Sequence, residues 1–361
     1  METLTPGSGD RSGVKGRWAP LPSGSGLRHT RTMNGYDGDP RAASADPASA
    51  TMDYVILAVD EGGGQQQCGP LSPTCAVSWA VEEDVDAVFS NFAAGGGRLS
   101  APPGLPPPLA GGHGALAVSL AALAPGETRT LTLLFAWHTP YHLYVGQELG
   151  NFVASQYASA AAVAGEAAGE LFTTILPSGA AWNALWAGAT ALPEWMRDFM
   201  QNSVSYQSKM TVWVQRGADL QPLAGGRFRQ FEAYSGCDLG PVHVLDFSMI
   251  PLILSFPELL MNEIATGWAA RQQQGGMVEE FLGAFSAPGG RVTGPMDISS
   301  GGRVMGDVTT VFILATLGCF QSTNDTAFVR GIWGNLTSAA RWQMSTAKQF
   351  GCPAHLQTTY E

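Results

Sequence analysis

The chain has 361 residues, 45% of them hydrophobic, and a formal net charge of −11. That length accommodates two domains and a large core, while the acidic balance and the lack of any Lys/Arg cluster argue against a nucleic-acid partner. Charged residues make up 14%, against about 25% in typical globular chains, so much of the surface must be small and neutral.

Residues 1–51 are rich in Gly, Ser, Pro, Arg and Asp. They hold no apolar run of the kind a secretory leader needs, and this stretch is expected to be disordered. No later run reaches the roughly 18 apolar residues of a membrane span. The closest, Val244–Phe256, is broken by Asp246 and Pro251. The five cysteines are scattered, with no C-x-x-C pair. That predicts reduced thiols, a cytoplasmic location and no metal site. The sequons at Asn324 and Asn335 read as chance matches, the second inside a predicted helix.

Residues 52–145 read as strands, the makings of a β-sandwich domain. Tyr54–Val59, Cys75–Val81, Ala115–Leu123 and Thr130–Trp137 are apolar or alternating, and Pro125-Gly126 suits a tight turn. The strands look too few for a whole sandwich. From residue 146 the apolar period changes from two to 3.6. Asn151–Leu176 is Ala-rich. Pro193-Glu194 and Pro257-Glu258 each open a helix, the second bearing Leu260, Ile264 and Trp268. The first carries Trp195, Phe199 and Val204 near one face. Asp307 and Asp325 are predicted caps for two more helices, and Gly351 ends the last.

The stretch 226–261 holds the most suggestive chemistry. Glu232 stands among Phe228, Phe231 and Tyr234, ahead of a Gly/Pro-bearing loop and an apolar helix. A carboxylate between aromatic rings is partly desolvated and can act as a nucleophile or acid/base. The alternative is a Glu that caps a helix or pairs with Arg227 or Arg229. Trp182, Trp186 and Trp213 could stack on a sugar or fill a core. His138, His142 and His355 lack metal-ligand spacing.

This stretch resembles the nucleophile segment of glycoside hydrolase family 116, the non-lysosomal glucosylceramidase and bile-acid β-glucosidase family. Phe256-Pro257-Glu258-Leu259 is similar to the family's helix ending, and Leu123–Trp137 to the last strands of its β-sandwich. Thr358-Thr359-Tyr360-Glu361 resembles its acid/base segment, with Glu in place of Asp. The resemblance implies a mainly α fold, a partial (α/α)6 toroid over 146–361 preceded by part of a β-sandwich. It implies retaining hydrolysis of a β-glucoside or glucosylceramide-like substrate, with no cofactor and with peripheral membrane association. Glu232 would be the nucleophile and Glu361 the acid/base. His243, Asp246, Asp297 and Thr359 would contact the sugar.

The sequence departs from the family's pattern at four places. Ala233 replaces a Gly, His243 an Asp, Met296 a His, and Glu361 an Asp. Asp297 either faces the sugar or caps a turn. Besides an active glycosidase, two readings stay open: an inactive relative with the same fold, and a sugar-binding or interaction protein. The resemblance covers about half a ring. The 361-residue chain is therefore expected to leave apolar faces exposed and to turn over little or no β-glucoside.

Overall fold

The computed structural model describes residues 15–21, 26–32, 51–60, 66–68, 75–82, 84–100, 113–144, 147–207, 210–216, 222–231, 240, 242, 245–270, 272–273, 275–278 and 307–349. The chain forms two compact units. The first is Met1–Gly146 with Ala154–Gly188, and the second is Gln147–Val153 with Ala189–Glu361.

The first unit is built on an antiparallel sheet. Strands β1 (Lys15–Pro20), β2 (Gly26–Thr32) and β3 (Thr51–Asp60) pair in order, and β4 (Gln66–Gln67) pairs with the end of β3. A hairpin of β5 (Cys75–Glu82) and β6 (His113–Leu120) is joined through helix α1 (Val85–Ala94), whose first turn Asp84 caps by accepting from the Ala87 N–H. Strand β7 (Leu131–His138) pairs along its whole length with β3, from Asp53↔His138 to Asp60↔Leu131. β1 and β2 lie inside the stretch expected to be disordered. Their apolar content is low; β2 is held by a full backbone register on β3, from Gly26↔Leu57 to Thr32↔Thr51, and β1 by one on β2, from Lys15↔Thr32 to Pro20↔Leu27.

One face of this sheet carries Val55, Leu57, Val59 and Ala136. Helix α2 (Ala160–Glu170) packs there through Ala160, Ala164 and Ala168, all buried. Small residues four apart let the helix axis approach the sheet closely, so the Ala-rich composition has a packing cause. Ser159 caps the helix by accepting from the Ala162 N–H. A π-helical turn, Leu171–Ile175, leads into α3 (Leu176–Gly188). On the other face, Ala58, Cys68, Cys75 and Val77 form a smaller core with Leu116, Val118 and Leu131. Cys68 and Cys75 are joined in a disulfide, which corrects the expectation of reduced thiols for that pair. Beyond this patch, Leu133, Phe135 and Trp137 of β7 are exposed, with Phe135 stacked on Tyr54.

Two short strands, β8 (Leu143–Tyr144) and β9 (Gln147–Glu148), fall where the chain leaves the first unit. The second unit contains helix α4 (Glu194–Gln207), a hairpin of β10 (Thr211–Arg216) and β11 (Pro222–Gln230), and helices α5 (Leu245–Ser255), α6 (Pro257–Glu263), α7 (Val308–Thr323), α8 (Thr326–Gly331) and α9 (Trp333–Gln349). Its core gathers Phe228, Leu252, Leu260, Ile264, Trp268, Val311, Phe312, Ala315 and Cys319. Fully burying each such large side chain contributes about 1.5–3 kcal/mol. Trp195 and Phe199 of α4 are exposed instead. Asp325 caps α8 from its side chain, while Asp307 precedes α7 without a side-chain cap bond. Asn324 ends α7 in the left-handed region, at φ 55°. Asn335 lies in α9 and its amide donates to Ala269 O at 2.9 Å and Gln272 Oε1 at 3.0 Å.

The expectation of a mainly α chain built on a partial (α/α)6 toroid is overturned. Among the described residues the structure is about 51% helical and 25% strand, with antiparallel sheets. The physical reason in the second unit is the hairpin. Thr211-Val-Trp-Val alternates β-branched and aromatic residues, and β11 supplies a partner, so this segment pairs as strands within the helical core. Among the described residues, no helix is long and apolar enough to cross a membrane.

Candidate active site

Of the expected site residues, Glu232, His243, Asp297, Thr359 and Glu361 lie outside the described residues. Asp246 falls in the first turn of α5. The described structure ends on the nucleophile side at Phe231, the residue before Glu232, and it shows what holds the strand that leads there.

That strand is β11, paired with β10 in the register Trp213↔Phe228, Val212↔Arg229 and Thr211↔Gln230. The hairpin closes on an aromatic stack. Phe152 lies on Trp213 with ring centroids 4.6 Å apart, and Trp213 meets Phe228 edge-on at 6.2 Å. Trp213 also donates its indole N–H to Gly225 O at 2.9 Å. Within β11, where the register on β10 shifts, Gly226 takes a φ of +63° beside the Phe152 ring. Trp213 thus serves as part of this packing. Trp182 and Trp186 belong to α3 of the first unit and meet each other edge-on at 5.6 Å.

In an antiparallel pair every second N–H faces the partner strand. Phe231 N donates to Met210 O at 2.7 Å, so the N–H groups of Gln230 and Phe228 face away from β10. Helix α6 supplies their acceptors. Asn262 Oδ1 accepts from Phe228 N at 2.9 Å, and Glu263 Oε1 accepts from Gln230 N at 3.2 Å. Glu263 Oε2 also accepts from the Gln230 side-chain amide at 2.9 Å. Ser248 of α5 donates to Gln230 Oε1 at 3.1 Å, and Gly240 N donates to Gln230 O at 2.8 Å. Asn262 and Glu263 therefore occupy the place that a third strand would take, and every buried polar group of Gln230 is partnered.

Arg229 and Glu263 are both buried. The Arg229 guanidinium donates to Phe228 O, to Thr266 Oγ1 at 3.0 Å and to Thr266 O at 2.8 Å. Thr266 sits in a π-helical turn, Ile264–Trp268, that follows α6 directly. Such turns free carbonyls from the regular ladder and recur at functional positions. Burial raises the Glu263 carboxyl to about 7, against the opposing pull of the Arg229 charge and the two bonds from Gln230.

His138 Nε2 lies 2.9 Å from Ala154 O and 3.0 Å from Tyr157 O, so it carries the proton and donates to both. Burial lowers the His142 ring below its ordinary value. Cys319 is a free, buried thiol pushed up to about 12, first by burial and then by the Glu258 charge, so it is a poor nucleophile. Among the described residues, no three His, Cys, Asp or Glu side chains gather as a metal site.

Sequence reasoning missed Asn262, Glu263 and Gln230. A signal was present: Glu263 lies on the apolar stripe of Leu260, Ile264 and Trp268, where a carboxylate must find partners. No family model matches the chain, and no curated protein matches it.

Proposed function

We propose that the protein is a retaining β-glycosidase whose nucleophile is Glu232. The motifs that resemble glycoside hydrolase family 116 suggest this reading. The observation that supports it best is the buried anchoring of β11, whose next residues are Phe231 and Glu232. A nucleophile must be held within a fraction of an ångström, and a strand fixed on both edges is a suitable mount.

In this reading Glu232 attacks the anomeric carbon and forms a glycosyl-enzyme. Glu361 protonates the leaving oxygen, then takes a proton from the water that releases the sugar. Retention requires the two carboxyls to lie about 5–5.5 Å apart. His243, Asp246, Asp297 and Thr359 are the proposed sugar contacts. The substrate class is a β-glucoside or a glucosylceramide-like lipid, met at a membrane surface, and two carboxylates suffice without a cofactor. A cytoplasmic location stays part of the proposal, but the Cys68–Cys75 disulfide weighs against it, because such bridges persist where thiols are not kept reduced.

The deciding experiment uses a 2-deoxy-2-fluoro-β-glucoside. Labelling at Glu232, with turnover above a Glu232→Gln control, supports the assignment. Labelling at another carboxylate in an active preparation ends it. His243 and Met296, departures from the family's pattern, favour one rival, an inactive relative of that family; a second rival is a sugar-binding protein. A glucose-like inhibitor that binds a preparation devoid of turnover would favour the sugar-binding reading.

A further inference from the structure

We infer that β7 is a docking edge for a second copy of this chain: two β7 strands pair antiparallel about Phe135 and join the sheets of two first units across a two-fold axis. The contact concerns the first unit alone and stands whether or not the protein is a glycosidase.

The two edges of the sheet differ. Among the described residues β2 lies between β1 and β3, and β7 has β3 as its one strand partner, so β1 and β7 form the edges. An open edge is a template for another strand, and edges are blunted by charged residues, proline or a bulge. β1 carries Lys15, Arg17 and Pro20. β7, Leu131-Thr-Leu-Leu-Phe-Ala-Trp-His138, has no such residue, and its register on β3 runs without a bulge. One end of its outer face is already closed, because Leu131 packs on the small core of Ala58, Cys68, Cys75 and Val77. The rest is open: Leu133 is 57% exposed, Phe135 49% and Trp137 61%. The Phe135 ring is held in a row, its centroid 6.1 Å from that of Tyr54 and 6.0 Å from that of Trp137. Covering a face already ordered in this way loses little side-chain entropy.

A second copy is the occupant that fits this edge. Each copy carries a net charge of −11, so two copies meet without repulsion only where charge is absent. From Thr130 to Gln147 no side chain is an Asp, Glu, Lys or Arg. Side chains alternate between the faces of a strand, so antiparallel copies keep their apolar faces together only when the paired residue numbers have an even sum. Centring on Phe135 meets that rule. It sets Phe135 opposite its counterpart and Leu133 opposite Trp137 of the second copy, with Leu134 opposite Ala136 on the inner face. Centring on Leu134 would instead set Trp137 against Leu131, which is already packed. Three half-exposed side chains and one strand edge offer less than the roughly 800 Å² per partner of a stable dimer. The backbone hydrogen bonds of the new strand pair add to this, and the result is a dimer that forms with rising concentration.

The test uses the full 361-residue chain. Sedimentation equilibrium should show the mass rising from one chain to two between nanomolar and high micromolar concentration. Phe135→Lys removes an aromatic pair and sets like charges opposite each other at the axis. The dimer midpoint should then move about tenfold or more to higher concentration. Trp195→Lys, at an aromatic of α4 that is 67% exposed, should leave the midpoint unchanged. Cysteine pairing under oxidation reads the register, because directly opposed residues lie within disulfide reach. Phe135→Cys should crosslink to itself above the wild-type level, whereas Leu133→Cys and Trp137→Cys should crosslink only when mixed with each other. Thermal unfolding first establishes that each variant folds, and should Phe135→Lys not fold, the cysteine pairs decide. A monomer at every concentration overturns the inference, and one that also sediments with phosphatidylcholine vesicles assigns the face to lipid instead. A dimer that a folded Phe135→Lys leaves intact, or equal crosslinking by all three single cysteine variants, overturns it as well.

Discussion

A Cβ placed on Gly226 would lie 2.7 Å from Cδ2 of Phe152 and 2.6 Å from the Val214 carbonyl oxygen. The backbone there is left-handed, at φ +63°, so a side chain meets strain and overlap together. The neighbouring ring cannot simply give way, because Phe152 is already stacked on Trp213. Gly226→Ala should destabilise the second unit by about 3 kcal/mol or more, the sum of a left-handed non-glycine residue and an overpacked contact. Urea unfolding followed by tryptophan fluorescence would read both the loss and the altered Trp213 environment. A wild-type midpoint would mean that β11 accommodates a side chain at 226 without the overlap with Phe152 and Val214.

Several strands of the first unit were legible in the sequence because β3, β5 and β7 carry their own apolar pattern. β1 and β2 were not legible. Their sequences, Lys15–Pro20 and Gly26–Thr32, carry few apolar residues, and β2 is held by pairing with β3, which lies about 25 residues further along the chain. Helix α6 was visible from Pro257 and the spacing of Leu260, Ile264 and Trp268. What Glu263 does was hidden, since its partner Gln230 lies 33 residues earlier and no local rule joins them. Fold class failed for a related reason. Helical periods in the second half were read correctly in several places, but the hairpin at their centre was not given its weight.

The alanine stripe of α2 makes a second prediction. Ala164 is buried against the sheet face of Val55, Leu57 and Val59. Ala164→Leu would force α2 away from β3 and β7 and should destabilise the first unit by about 2–3 kcal/mol, an overpacking cost. Ala161, on the same helix but only partly buried, is the comparison site, where Leu should cost much less. Equal effects at the two positions would show that the helix–sheet contact is looser than drawn.

The disulfide predicts a dependence on redox state. Cys68 and Cys75 are seven residues apart, and both sit in the small core beneath β5. Replacing both by Ala should lower stability by about 2–3 kcal/mol, near the low end for a short closed loop. Alkylation and intact mass, with and without reductant, should reveal one bridge in the oxidised protein. Cys319 should stay unlabelled until the chain unfolds, because it is buried and its thiol is held protonated. Alkylation of Cys68 and Cys75 in the untreated native protein would contradict the bridge.

Glu263 gives the stability curve a predictable slope. In the folded chain burial raises its carboxyl from the usual 4.5 to about 7. Between those two values the folded protein holds a proton that the unfolded chain has released. Folding there is favoured by acid: the contribution is complete below pH 4.5, shrinks as pH rises, and is gone above about pH 7. Its full size is on the order of 3 kcal/mol. Glu263→Gln cannot titrate and should remove this slope. Measured by urea unfolding from pH 4 to 8, the stability of Glu263→Gln relative to wild type should rise by about that amount across the window. The Arg229 charge pulls the other way by favouring the carboxylate, so Arg229→Met should steepen the wild-type slope and move its upper end to higher pH. Parallel curves for wild type and Glu263→Gln would mean that Glu263 is ionised throughout, with Arg229 and Gln230 outweighing burial.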